Sequence, residues 1–85
     1  MSKWVVGEKC FSLRYGEGVV ANYEEGLQYP VTTMHVFKWK GRTKVFEEDW
    51  DELGKQYEFD SWPTLFESVE AMRTYIATNV FNIPK

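Results

Sequence analysis

The chain contains 85 residues, of which 44% are hydrophobic, 18% aromatic and 27% charged, a composition that excludes a disordered chain and suits one small hydrophobic core. We therefore expect a single domain over residues 1–85. Thirteen carboxylates against ten Lys and Arg give a net charge of −3, which argues against a protein that holds nucleic acid mainly through charge.

The N-terminal residues show no feature of a secreted or membrane protein. No apolar leader follows Met1, and no run in the chain approaches the roughly 18 apolar residues of a membrane span. The only cysteine, Cys10, cannot form an internal disulfide, which fits a reducing compartment and predicts a small buried hydrophobic residue. We expect a cytoplasmic protein with no membrane partner.

Residues 5–23 contain two apolar, β-rich runs joined by Tyr15-Gly16-Glu17-Gly18. Two glycines separated by one residue can supply the positive φ angles of a tight connection, so the segment is predicted to form a hairpin. Residues 24–28 are polar and contain a glycine, which predicts a loop, and Tyr29-Pro30 begins the next strand.

Val31 to Trp39 is rich in β-branched and aromatic residues and is the clearest predicted strand. The chain then turns at Lys40-Gly41-Arg42, and residues 43–46 are predicted to pair back on this strand. Apolar side chains occur on both parities, with Phe37 and Trp39 on one face and Met34 and Val36 on the other. This pattern predicts that one face fills a barrel and the other is partly covered.

The stretch from Glu47 to Ser61 is ambiguous. It fits a short helical turn that ends at Gly54, followed by a short strand around Tyr57-Glu58-Phe59.

The C-terminal region shows helical periodicity, which predicts a helix over about residues 65–80 that packs on the sheet. Thr64 and Glu67 have capping-box spacing, while Ser68 is an alternative N-cap for a slightly later start. Pro84 stops any extension. The apolar stripe consists of Leu65, Val69, Met72, Ile76 and Val80. The predicted fold is therefore mainly β with a C-terminal α-helix, namely a small antiparallel barrel over about residues 5–60 capped by one helix.

Three short motifs resemble a group of small phage and bacterial proteins. Gly7 to Val20 is similar to their G-D-x-V-F-S-x-x-Y-G-x-G-x-V opening, Tyr29-Pro30-Val31 to their Y-P-I/V strand start, and Pro63-Thr64-Leu65-Phe66 to their P-T-L-F closing segment. This resemblance implies an SH3-like, or Tudor-like, barrel. The opening also resembles the barrels appended to UvrD-type helicases and the CarD-type domains that bind RNA polymerase, which implies contact with a protein.

The chain departs from that group at Cys10, in a longer third strand and over residues 47–60. This resemblance therefore supports an inference about the fold more strongly than one about the function.

Catalysis has little support in the sequence. The only imidazole, His35, and the only thiol, Cys10, lie in predicted strands with no visible orienting group, so we expect no enzyme and no cofactor. A calcium loop from Asp49 to Asp60 would have acids at relative positions 1 and 3 and glycine at 6, but Leu53 at position 5 offers no oxygen. We expect no metal site.

The leading functional hypothesis is a non-catalytic, phage-type accessory protein that binds a host protein and modulates or inhibits it. Exposed aromatic residues would anchor the partner and a run of carboxylates would steer it, or would mimic a DNA backbone toward a partner that handles nucleic acid. The predicted anchors are Trp39, Trp50, Tyr57 and Trp62, and the predicted acidic face is Glu47, Glu48, Asp49, Asp51 and Glu52.

Two alternatives remain open. A basic hairpin interleaved with aromatic residues could bind single-stranded nucleic acid, although the adjacent acids would repel phosphates. Its cations are Lys38, Lys40, Arg42 and Lys44. A homo-oligomer that buries the aromatic surface against itself is the other alternative.

Overall fold

The computed structural model describes residues 3–80, which form an antiparallel sheet followed by a short C-terminal helix. The strands are β1 (Lys9–Ser12), β2 (Gly16–Tyr23), β3 (Val31–Trp39), β4 (Arg42–Trp50) and β5 (Leu65–Phe66). The helix α1 (Val69–Tyr75) continues into a π-helical turn over Ile76–Val80. The prediction of a mainly β fold with a C-terminal helix is confirmed.

The sheet is open. Its strands lie in the order β4-β3-β2-β1-β5, so β4 and β5 form the two edges. Among residues 3–80 these edge strands do not pair with each other, and the strands do not close into a barrel.

The central hairpin of β3 and β4 has regular pairing over its full length. Lys40 and Gly41 both have positive φ angles, 48° and 74°, which suits the twist of a two-residue hairpin turn. From this turn the register runs without a bulge from Trp39 opposite Arg42 to Val31 opposite Trp50. The predicted strand 31–39 is confirmed, while the return strand is longer than the predicted 43–46.

The first hairpin turns earlier than predicted. Ser12 Oγ accepts hydrogen bonds from the amides of Arg14 and Tyr15, at 3.0 and 3.1 Å, and this organises the turn over residues 13–15. Gly16 and Gly18 therefore lie in β2. Gly16 has the predicted positive φ of 81°, whereas the absence of a side chain at Gly18 leaves room for His35.

The core lies on one face of the sheet, because alternate residues of neighbouring strands point to the same side. Segment 51–64 and the N-terminal residues cover this face. The Trp4 indole donates to the Glu52 carbonyl at 2.8 Å, and the amides of Thr64 and Leu65 both donate to the Gly54 carbonyl at 3.0 Å. The buried cluster comprises Trp4, Cys10, Val20, Val31, Trp50 and Leu65.

The far half of the central hairpin extends beyond this core. Phe37 and Trp39 on one face and Met34 and Val36 on the other are all exposed. The prediction that both faces of β3 are covered is therefore wrong for this half. The cause is that α1 packs against β1 and β5, at the edge of the sheet opposite β4.

Segment 51–64 contains no helix and only turns before β5. Asp51 Oδ1 accepts from the amides of Leu53 and Lys55. The chain turns at Gly54, as expected, where φ is 91°, but the turn is not helical. The predicted strand around Tyr57-Glu58-Phe59 is wrong, because residues 57–60 form a turn closed by the Asp60 amide and the Tyr57 carbonyl.

The C-terminal helix begins later than the predicted residue 65. Leu65 and Phe66 pair with Ser12 and Phe11 as β5, so a capping box from Thr64 to Glu67 does not form. Ser68 is the N-cap, with its Oγ accepting from the Ala71 amide at 3.0 Å. No side chain of α1 is fully buried. Pro84 lies outside the described residues, and no helix within them is both long and apolar enough to cross a bilayer.

Candidate functional site

The four predicted aromatic anchors do not share one surface. Trp50 is 0% exposed, and its indole donates to Thr33 Oγ1 at 2.6 Å, so it is a core residue and the prediction of a surface anchor is wrong. The cause is the hairpin register, which places Trp50 opposite Val31 on the buried face. Trp39, Tyr57 and Trp62 are exposed, with Trp39 at 61%, and their role as anchors stays a prediction.

The five predicted acidic residues also separate. Strand alternation directs Glu47 and Asp49 to the outer face and Glu48 to the core face, where it accepts from Gln56 Nε2 at 2.8 Å. Beyond the strand, Asp51 caps a turn and Glu52 accepts from the Tyr23 hydroxyl at 2.7 Å. The expectation of one continuous acidic face is therefore wrong.

The basic residues of the hairpin divide between its two faces. Arg42 lies opposite Trp39 and Lys44 opposite Phe37, so two cations and two aromatic rings share one face, while Lys38 points to the other. The rings of Phe37 and Trp39 stack at 6.3 Å with 15° between their planes. We call Phe37, Trp39, Arg42 and Lys44 the hairpin platform.

A notch borders the hairpin platform on the free side of β3. The last residue of β3 paired with β2 is His35, opposite Gly18, so Val36–Trp39 has a strand neighbour on one side only. The open groove there has a volume of about 690 Å³. Its lining combines apolar and charged groups, from Arg14, Tyr15, Gly16, Glu17, Val36, Phe37 and Phe46.

An ion pair fixes segment 51–64 beside this notch. Arg14 Nη2 and Nη1 donate to the two carboxylate oxygens of Asp60 at 2.9 and 3.2 Å, and the amides of Gln56 and Tyr57 donate to the same carboxylate. These bonds to Arg14 hold the pKa of Asp60 below its ordinary value. The Arg14 guanidinium also lies 5.2 Å from the Tyr57 ring, which positions this ring at the surface.

The two groups considered for catalysis lie in the interior. His35 Nδ1 is 3.1 Å from the Gly16 carbonyl, and Nε2 is 2.7 Å from Thr33 Oγ1. Because a carbonyl only accepts, Nδ1 carries the proton and Nε2 accepts from the Thr33 hydroxyl. Burial lowers the pKa of His35 and raises the pKa of Cys10 to about 11, so the imidazole is neutral and the thiol stays protonated at pH 7.

The carboxylates of the considered calcium loop are occupied by other contacts. Asp51 accepts backbone amides and Asp60 holds Arg14. Within the described part of the chain, no three His, Cys, Asp or Glu side chains form a group suited to a metal ion.

Several residues of this region were not predicted from the sequence. Phe59 is the most exposed of the large hydrophobic residues that the structure describes, at 79%, and it stacks on Tyr57 at 5.0 Å. Arg14 and Asp60 form the ion pair across 46 residues of chain, which no local pattern reveals. The hairpin register itself is a usable signal, because extending the pairs from the Lys40-Gly41 turn places Trp50 opposite Val31.

Comparison with protein-family models, with curated proteins and with solved structures finds no match to this chain.

Proposed function

We propose that this chain is a non-catalytic binding module that docks on another protein through exposed aromatic side chains at the notch and the hairpin platform. The observation that supports this proposal is that large rings remain in water at and beside one groove, although the core has other rings inside it. Phe37 lines the groove and Trp39 stacks on it, while Tyr57 lies against Arg14 of the lining and carries Phe59. Phe37, Trp39, Tyr57 and Phe59 are all exposed, whereas Trp4 and Trp50 are buried. Aromatic side chains clustered beside a groove are typical anchors of protein interfaces.

We also propose that the chain is not catalytic, because its two candidate catalytic side chains lie in the interior. Both ring nitrogens of His35 are engaged by Thr33 and Gly16, and the Cys10 thiol is buried with a raised pKa. A nucleophile needs a deprotonated or activated form within reach of substrate. The interior position of these two side chains supports a binding role.

The carboxylates support a smaller electrostatic contribution than one acidic face would give. Glu47 and Asp49 share the outer face of β4, and we propose that they steer a basic partner during encounter. The expectations of an SH3-like barrel, a phage-type protein and a host partner that is modulated or inhibited rest on the sequence resemblance and stay predictions.

Affinity capture from lysate tests the proposal when three forms of the chain are compared. We expect proteins retained by the unchanged chain to be lost with Trp39→Ala, because that ring is 61% exposed and contributes little to the core. Leu27→Ala is the matched control, since Leu27 is similarly exposed but lies in a loop away from the notch. Equal recovery with both variants would contradict the proposed anchor.

Single-stranded nucleic acid is a second candidate, favoured by the hairpin platform itself. Bases could stack on Phe37 and Trp39 while Arg42 and Lys44 contact phosphates. Glu47 and Asp49, the source of expected repulsion, point to the opposite face. Titration with an unstructured oligonucleotide at low and high salt tests this candidate.

In that titration we expect binding to weaken with salt and to be lost when Arg42 and Lys44 are both changed to Gln. The control is Lys38→Gln together with Lys9→Gln, which removes two charges from the other face and should preserve binding. No binding by the unchanged chain at low salt would rule this candidate out.

A further inference from the structure

The outer edge of β4 is a long row of free backbone groups. The turn at Lys40-Gly41 closes with a hydrogen bond between Trp39 and Arg42, and bonded and non-bonded pairs alternate from there. The backbone groups of every second residue therefore point away from β3. These residues are Thr43, Val45, Glu47 and Asp49. No turn, loop or cap of residues 3–80 makes a backbone hydrogen bond to them.

The charges of β4 change sign along the strand. Arg42 and Lys44 occupy its first half, and Glu47, Glu48 and Asp49 occupy its second half. A strand with charges of one sign repels a copy of itself, which is a common protection for sheet edges. A strand with opposite charges in its two halves attracts a copy that runs antiparallel, because each positive half then lies beside a negative half.

We propose that two copies of this chain pair through their β4 edges, antiparallel and centred on Phe46, to form one ten-stranded sheet. In this register Lys44 of one copy lies opposite Glu48 of the other, and the two-fold axis repeats this pair. Thr43 lies opposite Asp49 and Val45 opposite Glu47, so all the outward backbone groups hydrogen bond to each other. The two Phe46 rings meet at the axis.

The faces of the two sheets also agree in this arrangement. A two-fold axis perpendicular to the sheet keeps the core-side faces of both copies on the same side. Opposed residues must then have numbers that are both even or both odd, as Lys44 and Glu48 do. Phe46 is partly exposed beside Tyr15, with ring centroids 5.8 Å apart, and a second Phe46 would cover it. The dimer does not depend on the protein or nucleic-acid partner proposed above.

Sedimentation of the full chain over a range of concentrations, at low and high salt, tests the dimer. We expect a reversible dimer that weakens at high salt. Lys44→Glu and Glu48→Lys should each raise the dissociation constant roughly tenfold or more, since two related pairs change from attraction to repulsion. An equimolar mixture of the two variants restores both opposite-charge pairs and should dimerise again.

Lys38→Glu is the matched control, because it makes the same charge change on β3, opposite Thr43 and away from the edge. Val45→Pro is a second variant that removes only an outward amide, and it should give a folded monomer by circular dichroism. A monomer at all concentrations, or equal effects of Lys38→Glu and Lys44→Glu, would overturn the dimer. A dimer that Val45→Pro leaves intact would also overturn it.

Discussion

A chain of polar side chains crosses the hydrophobic core at His35. The Trp50 indole donates to the Thr33 hydroxyl, that hydroxyl donates to His35 Nε2, and His35 Nδ1 donates to the Gly16 carbonyl. Each buried polar atom in this hydrogen-bonded network has a partner, which removes the cost of desolvating it. A protonated His35 would leave the Thr33 hydroxyl hydrogen without its acceptor, so this hydrogen-bonded network requires the neutral imidazole.

This requirement makes stability depend on pH. Because burial lowers the pKa of His35 below 6.5, the unfolded chain binds a proton more readily than the folded chain as pH falls below 6.5. We expect the free energy of unfolding to be highest above this pH and to decrease as the pH falls below 6.5. Denaturant unfolding as a function of pH measures this slope.

His35→Gln should lower stability overall but flatten that slope. Asp60 does not contribute to the same window, because its pKa is lowered from 3.8 and its stabilisation is lost only as pH falls below 3.8. An unchanged slope in His35→Gln would show that another group titrates.

Gly18 illustrates a second interaction at this scale. A Cβ at Gly18 would lie 2.7 Å from the Met34 carbonyl oxygen and still closer to the His35 ring. We expect Gly18→Ala to cost about 1–3 kcal/mol of unfolding free energy, because a packed interior resists added volume. The neighbouring Glu17→Ala, at an exposed position, is the control. Equal denaturation midpoints for the two variants would contradict close packing of Gly18 against His35.

Among the elements, β3 could be predicted from the local sequence. Which side chains of β4 point to the buried face could not. Nine consecutive residues without Gly or Pro define β3, and the strand has the predicted bounds. In β4, Glu47, Glu48 and Asp49 are polar in succession, so hydrophobic alternation does not show which face Trp50 joins. Its burial depends on pairing with Val31, which lies 19 residues earlier and becomes apparent only through the register.

For the C-terminal helix, the local sequence predicts a start that is too early. Its periodic stripe starts with Leu65, but hydrogen bonding to β1 places that residue in β5, where it is fully buried. Met72 and Ile76 are only half-buried. Periodicity identifies the apolar side of a helix and does not measure how much of the sheet that side covers.

Two alanine variants separate these environments. We expect Leu65→Ala to cost about 2–5 kcal/mol and Met72→Ala about 1–2 kcal/mol, since a half-buried side chain loses less contact and leaves no closed cavity. Urea unfolding followed by tryptophan emission gives both values. A cost for Met72→Ala equal to that of Leu65→Ala would mean that α1 is part of the core.

For the whole molecule, the long segment between β4 and β5 must be held against the sheet without regular structure of its own. The Arg14–Asp60 pair supplies much of this attachment, and the Asp60 side chain is 7% exposed. Sequence reasoning could not place this pair, because its members lie in a turn and a loop that have no periodic pattern. Most buried hydrophobic residues of the described part of the chain form one cluster, and that cluster depends on this cover.

Asp60→Asn tests the attachment. We expect it to cost roughly 2–3 kcal/mol, because a charge-assisted bidentate contact and the capped amides of Gln56 and Tyr57 are weakened together. Glu17→Gln is the matched control, since Glu17 faces Lys9 at 3.9 Å with both side chains largely exposed, and its loss should cost at most about 1 kcal/mol. Similar costs for both variants, measured by denaturant unfolding, would show that Asp60 does not secure the segment.

The projection of the central hairpin beyond the core implies that one pair of strands has two levels of amide-exchange protection. Amides of Val31 to His35 should exchange with deuterium only through global opening, while the amides of Phe37 and Trp39, bonded to β4 alone, should exchange through local fraying. Recognition at the hairpin end is then energetically separate from folding. Side chains there can change to suit a new ligand without loss of the native state.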